Sequence, residues 1–458
     1  MGGDVAHGAR HGGRCRGACR YPRAVSRGVW RPRSPWGLPG AFWVIWVGIL
    51  VLWTGRFVVP FLSTYLVSEP GLSVTHATAV VSAYGAGGVV ASLLGGTLSD
   101  RIGRLPVLMV SFLGGAAMLL AIPLAQSALS IAAVLFTYGI VGHLGGPALG
   151  AMIADRVAPD LRPRAYLLQV WAMNLGFAIG PIVAVRLESV SFTLIFVVEA
   201  AVCVAVAVFL GRLLRSGGRF GPPAFAIDPA LDANEHGRAG RGGYRRALAD
   251  RPMLVLVALM LVFTVVYFQA TSTLPIVMGE QGLSLEAYAA LLTVNGALLC
   301  VLQVPAMRLI ERVPGSVALA VGVGVTAIGY ALQAVADDTT TYVVAVVTWT
   351  LGELATFPVA AAMVAALAPA RWRGTYQGIY GLTWSGAHMM APMLGGLVLA
   401  HAGSAVLWWG CAGLLAAVAT TMAVTARGLE AEVRERRSAE RKNRLAEPAT
   451  QGVSESAR

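Results

Sequence analysis

Long apolar runs, broken at short intervals by clusters of arginine, acid, glycine and proline, organise the whole chain. A helix crossing a bilayer core needs about 20 mostly apolar residues. Windows of that size mark twelve spans. The first six are 41–66, 75–98, 105–124, 129–153, 165–187 and 191–213. The second six are 253–277, 285–307, 316–336, 341–366, 374–400 and 404–426. Spans 4, 5, 10 and 11 are interrupted by glycine and proline. The first run is longer than the apolar region of a secretory signal and no small-residue cleavage site follows it, so it counts as a span. The pattern predicts an all-α membrane protein of twelve transmembrane helices.

Composition supports this reading. Charged residues make up 13% of the 458 positions, about half the ~25% of soluble domains. Glycine, at 54 residues, suits close helix approach in lipid. The net charge of +12 raises the question of nucleic acid, but its distribution answers it. All 35 basic residues except Arg56 and Arg186 lie before span 1, in every second loop, in the segment between spans 6 and 7, or after span 12. The intervening loops carry Glu69, Glu280, Glu286, Asp337 and Asp338. The positive-inside rule then places both termini in the cytoplasm. The charge is a topology signal, and no nucleic-acid partner is expected.

Five segments follow: an Arg-rich, disordered cytoplasmic N-terminus (1–40), a six-helix bundle (41–213), a cytoplasmic linker (214–252), a second bundle (253–427) and a charged tail (428–458) that begins as a solvated helix. Cys15 and Cys19 lack further ligands to complete a metal site, and no cofactor is expected. The arginine-for-lysine bias, with Lys442 the single lysine, points to a GC-rich bacterial genome and hence to a bacterial inner membrane.

The two halves match at a shift of 210–211 residues: Leu98, Asp100 and Arg101 fall on Leu309, Glu311 and Arg312; Pro147 on Pro358; Tyr166 on Tyr376; Pro181 on Pro392. Internal duplication of this kind is what alternating-access transporters use, with the substrate site between the repeats near the bilayer midplane.

The stretch Gly95-Gly96-Thr97-Leu98-Ser99-Asp100-Arg101-Ile102-Gly103-Arg104 between spans 2 and 3 closely resembles the loop signature of the major facilitator superfamily. Asp155-Arg156 and Arg162-Pro163-Arg164 resemble that family's pattern after span 4. Gly176-x-x-x-Gly180-Pro181 in span 5, Trp53-Thr54-Gly55-Arg56 in span 1 and Gly352-Glu353 in span 10 are similar to its twelve-span drug:proton antiporters. The sugar-porter signature after span 6 is absent, and Ala184 and Val185 stand where the span 5 motif ends in glycine.

The resemblance implies that Gly96, Asp100, Arg101, Gly103, Arg104, Asp155, Arg156 and Arg164 form a conformational latch; positive-inside anchoring is the alternative for these arginines. Gly176, Gly180 and Pro181 serve helix packing, with a kink at the proline. It also implies that spans 1, 4, 7 and 10 line a central cavity. That would put Arg56, His143 and Glu353 around one cavity at one depth, with Tyr267 and Gln269, Trp171 and Asn174, and also Tyr84, Asn295, Trp349 and Trp384 around them.

Ionisable groups inside a membrane are expensive and few. Desolvation disfavours the charged form of a carboxyl group, a physical basis for loading and releasing a proton. An opposing Arg56 restores the charge, so a distance that changes with conformation couples proton to movement. A permanent Arg56–Glu353 ion pair is the alternative. Glu199, on span 6, is expected to be a local packing or lipid-edge feature, and His388 either titratable or hydrogen-bonded packing. The expected function is proton-coupled efflux of a small drug-like or amphipathic compound, by a monomer whose partners are substrate, protons and lipid. Uptake of a metabolite, or a polytopic sensor or enzyme, are the alternatives; no P-loop or H-E-x-x-H motif is present, and the chain is not expected to be an enzyme.

Overall fold

A computed structural model describes residues 37–158, 161–215, 244–369 and 372–455. Regular structure among them is entirely helical. Eleven helical segments are long and apolar enough to cross a membrane. The last, Thr375–Arg436, is 62 residues long and turns at Gly403 (φ 82°, ψ 172°), so it holds spans 11 and 12. Gly103 (φ 90°, ψ 160°) makes the other one-residue reversal, between Val74–Ile102 and Arg104–Ala121. Side chains with a Cβ pay heavily for such backbone.

Two apolar runs conceal broken helices. Span 1 is Gly40–Thr54 followed by Val58–Ser68, and span 7 is Arg251–Tyr267, Gln269–Ser272 and Leu274–Glu280. Pro60 and Pro275 stand in the first turns of the later pieces, where a missing N–H costs nothing because those donors have no helical partner. Pro147, Pro181, Pro305 and Pro358 lie inside unbroken helices, tolerated because neighbouring spans supply packing and polar contacts.

Within the first half, span 1 packs on spans 5 and 6, span 2 on span 4, and span 3 on spans 4 and 6. In the second, span 9 packs on span 10 and span 8 on span 10. The halves meet along spans 2 and 11, along spans 5 and 8, and where the second pieces of spans 1 and 7 touch. Close approach there needs glycine: a Cβ on Gly296 would sit 2.9 Å from the backbone of Ala178, and Gly85 and Gly396 lie directly against Met389 and Thr78.

On the acidic-loop face the halves are stitched by Tyr288, whose hydroxyl points at the carbonyl oxygens of Pro60 (3.4 Å) and Ala270 (3.2 Å). Toward the arginine-rich face, a Cβ on Gly146, Gly150, Gly378 or Gly381 would meet open space.

The helix after span 12 continues to Glu455 and is anchored rather than merely solvated. Arg436 grips Asp250 at the start of span 7 and the Leu367 carbonyl at the end of span 10, while Glu430 accepts from Ser316 at the start of span 9. The expectations for 1–36 and 216–243 concern residues outside the described part.

Candidate functional site

Each broken helix presents its non-helical residues near the middle of its span, and each break carries a polar cluster. In the second half, Tyr267 ends the first piece of span 7. Its hydroxyl donates to Glu353 Oε1 at 2.9 Å, and Asn295 Nδ2 donates to Glu353 Oε2 at 3.0 Å. Glu353 is buried, and Asn295 also reaches Thr350 Oγ1. Both donors to the carboxylate are neutral, so gain or loss of a proton at Glu353 strands no counter-ion. Aromatic rings wall this cluster. Tyr267 lies 5.1 Å from Phe357 and 5.8 Å from Trp349, and Phe357 lies 4.6 Å from Trp384.

In the first half, Arg56 stands in the break of span 1. Its Nη2 donates to Tyr84 Oη at 3.2 Å, and its guanidinium lies 5.4 Å from the Trp53 ring centroid, a cation–π distance. Glu199 Oε2 accepts the backbone N–H groups of Phe57 (3.0 Å) and Val58 (2.7 Å), and Tyr138 donates to Oε1 at 2.9 Å. The carboxylate thus caps the second piece of span 1, serving donors left without helical partners.

Two histidines join the clusters. His388 lies tilted against Phe268, ring centroids 3.8 Å apart, and 5.9 Å from both Tyr84 and His143. Nδ1 of His143 lies 2.9 Å from the Gly139 carbonyl, and Nδ1 of His388 3.0 Å from that of Trp384. A carbonyl only accepts, so Nδ1 donates in each, leaving Nε2 as the acceptor. The offset that carries Pro147 onto Pro358 also carries Arg56 onto Tyr267, Tyr84 onto Asn295 and Gly142 onto Glu353. The two clusters are repeats of one design with different chemistry in each half.

Several placements differ from the sequence reading. Arg56 and Glu353 do not form an ion pair, because each is held within its own half. Glu199, expected as a local packing or lipid-edge feature, is 1% exposed and packs against the break of span 1 instead of lying at a lipid edge. Hydropathy cannot register a backbone break that calls for an acceptor. The available signal was the rule that an intramembrane acid is functional by default, applied to an acid facing the Gly55-Arg56 break. Gln269 is buried, its amide donating to the Ala391 carbonyl at 2.9 Å, so it ties span 7 to span 11 instead of lining open space. Asn174 donates to Gln303 across the spans 5 and 8 contact, and Trp171 is half-buried nearby on span 5.

Gly176 and Gly180 pack on span 1 immediately before its break: a Cβ on Gly176 would stand 2.6 Å from that of Trp53, and one on Gly180 3.0 Å from the Thr54 carbonyl. Pro181 follows inside the same helix. Of the latch residues, Arg104 Nε meets Asp155 Oδ2 at 3.3 Å, joining spans 3 and 4. Arg156 Nη1 lies 3.5 Å from the Met152 carbonyl of its own helix, and Arg164 is exposed in the first turn of span 5. The side chains of Asp100 and Arg101, like the surroundings of Gly96, lie outside the described part.

The described residues contain no cluster of three or more His, Cys, Asp or Glu able to hold a metal. The family model for the Major Facilitator Superfamily matches residues 45–392 and 273–455. The chain is 25% identical over 371 residues to the uncharacterized MFS-type transporter YqjV of Bacillus subtilis (strain 168), covering 78% of this chain and 86% of the relative. It is 25% identical to a Na(+), Li(+), K(+)/H(+) antiporter of Planococcus maritimus, over 73% and 84% of the two chains. To the class C tetracycline resistance protein of Escherichia coli it is 28% identical, over 58% and 68%. The crystal structure of a POT family transporter in complex with 5-aminolevulinic acid superimposes with a TM-score of 0.72 at 14% identity, covering 87% of this chain and 98% of that one. The twelve-span all-α fold, its repeated halves and these matches agree: the chain belongs to the Major Facilitator Superfamily of membrane transporters.

Proposed function

We propose that this transporter moves small organic compounds of drug-like or amphipathic character out of the cell in exchange for protons, by alternating access, with Glu353 as the proton carrier. The observation that carries the reading is the buried Glu353 carboxyl held by two neutral donors, Tyr267 and Asn295, beside the rings of Trp349, Phe357 and Trp384. A charge buried without a counter-ion is expensive, so this carboxyl is suited to exchange its proton for a substrate. Aromatic walls with few polar groups suit a flat or amphipathic substrate. That two relatives are a cation/proton antiporter and a tetracycline resistance protein supports the direction and the coupling ion.

The arrangement of contacts fits one half-cycle. Tyr288 and the second pieces of spans 1 and 7 join the halves on the acidic-loop face, which leaves the arginine-rich face as the one free to part. With that face cytoplasmic, as the positive-inside rule requires, the protein rests open to the cell interior, both termini inside, in a bacterial cell membrane. The latch of Asp100, Arg101 and Arg104 with Asp155 biases the balance between the two states. The working unit is a monomer, and the chemistry is transport without catalysis.

Purified protein in vesicles with an imposed pH gradient and trapped pyranine, scanned over a compound library, tests the proposal. Drug-like compounds should move against their gradient while protons move the other way. Proton flux that no compound alters, or compounds that move along with protons, would reject it.

A further inference from the structure

Everything at the break of span 1 converges on one acid that the transport scheme above does not use. We propose that Glu199 is a positioning residue of the transport cavity: its carboxylate holds the break of span 1 open, which aims Arg56 at Tyr84 and the histidine pair, and its charge balances Arg56 within the first half. This rests on the reading of the central cavity as the transport path.

Geometry supplies the first part. Residues 55–57 are the only non-helical stretch within span 1, and Arg56 is the middle one. Spans 5 and 6 press on it from both sides. Gly176 and Gly180 let span 5 reach Trp53 and Thr54, and a Cβ on Gly55 would stand 2.8 Å from the Val202 side chain of span 6. One helical turn from Val202, Glu199 takes both N–H groups of Phe57 and Val58 on a single oxygen. Without that acceptor the two donors would be buried and unpaired, or span 1 would re-form a continuous helix that rotates Arg56 away.

Charge supplies the second part. Among the described residues no carboxylate lies within ion-pair distance of Arg56. Glu199 is the acid that shares a small cavity with it, lined also by Tyr138, Ser111 and Cys203. The second half has no equivalent. The repeat offset puts Trp409 or Gly410 opposite Glu199; at the break of span 7 the Phe268 N–H is taken by the Thr264 carbonyl, and Tyr330 is a donor, not an acceptor, its hydroxyl reaching the Tyr267 carbonyl at 3.0 Å. The acid is therefore matched to the one half that carries a cation. Buried charges are retained in compensated pairs, and removal of one partner strands the other.

Capping and charge separate experimentally. Glu199→Gln keeps an oxygen for Phe57 and Val58 but loses the charge; Glu199→Ala loses both. Melting temperatures of purified E199Q, E199A, R56Q and R56Q/E199Q in detergent give the coupling directly. The expected order is E199A lowest, E199Q intermediate, and the R56Q/E199Q double above E199Q, because the stranded guanidinium is gone. Additive losses in the double, or E199Q melting like the parent, would overturn the charge role; E199A melting like E199Q would overturn the cap. If E199Q yields no folded protein, a folded R56Q/E199Q supports compensation and an unfolded one overturns it.

A second arm reads the cavity. With ethidium as a cationic probe in vesicles, E199Q should raise the apparent KM severalfold with little change in maximal rate, and R56Q/E199Q should restore it. An unchanged KM in E199Q would overturn the charge role. If the parent protein moves no ethidium, the transport reading fails for that class of compound, while the melting order still decides the role of Glu199.

Discussion

Removing the bond between Asp250 and Arg436 should loosen three helix ends and the tail helix at once. Asp250 caps span 7 by accepting the Met253 N–H, and it accepts the Tyr376 hydroxyl at 2.8 Å. Arg436 grips it with two nitrogens, at 2.6 and 3.2 Å, and reaches the Leu367 carbonyl at 2.6 Å. The side chains are 7% and 27% exposed respectively, so the pair is only partly screened. A charge-assisted hydrogen bond contributes about 1.5–3 kcal/mol, and a two-pronged arginine contact lies at the strong end of such pairs. Exposed pairs contribute at most about 1 kcal/mol.

A coupling of roughly 2 kcal/mol in a double-mutant cycle of Asp250→Asn and Arg436→Gln follows from these bounds. Asp250→Ala alone should cost about 3 kcal/mol, because it also removes the cap and leaves Arg436 and Tyr376 without their acceptor. Burial opposes ionisation of Asp250, but the hydrogen bonds from Arg436 and Tyr376 hold its carboxyl below the ordinary value of 3.8. A depressed folded-state pKa contributes stability that is complete above the unfolded value and disappears as pH falls through the folded one. The melting difference between parent and Asp250→Asn should accordingly be constant near neutrality and shrink below about pH 4. Thermal unfolding in detergent, followed by tryptophan fluorescence across that range, measures both. A coupling under about 0.5 kcal/mol, within the error of additivity, would refute the reasoning.

Other expectations follow from single positions. Gly103→Ala and Gly403→Ala should each cost about 1–3 kcal/mol, read as melting temperature, because both reversals use backbone that only glycine adopts cheaply. Gly176→Leu should abolish folded yield, since span 1 has no room to retreat from the added side chain, whereas Gly146→Ala should melt within a degree or two of the parent, a substitution away from packed features. Asp100→Asn should slow transport severalfold at unchanged membrane insertion; an unchanged rate would reduce Asp100 to an anchor. Reporter fusions at Ser216 and after Arg427 should both read as cytoplasmic.

The membrane fold was legible because hydropathy, the alternation of arginine and acid across successive loops, and the internal offset are all averages over many residues. The site was legible in part. Glu353 stood out as a lone acid in an apolar run, and Tyr267 and Asn295 were placed near it. What escaped was local backbone geometry. Nothing in the composition of 41–66 separates a continuous helix from one that breaks at Gly55-Arg56-Phe57, and the break decides that Glu199 faces inward. Equal depth along spans 1 and 10 was not enough to bring Arg56 to Glu353, because helix rotation and the capture of Arg56 by Tyr84 set its direction. The helical start of the tail was legible from its alternating charges, but its anchors were not: Arg436 and Glu430 have partners on helix ends 69 to 186 residues away.

Glu353→Gln is the most direct test of the central claim. Glutamine mimics the protonated carboxyl and keeps an acceptor for Tyr267. The neutral partners mean that no buried cation is stranded. Folded yield, substrate exchange without a gradient, and pH-driven uphill transport should be measured on one vesicle preparation. The account predicts normal yield, retained exchange and loss of uphill transport. Uphill transport at the parent rate would contradict it, and Glu353 would not be the proton carrier.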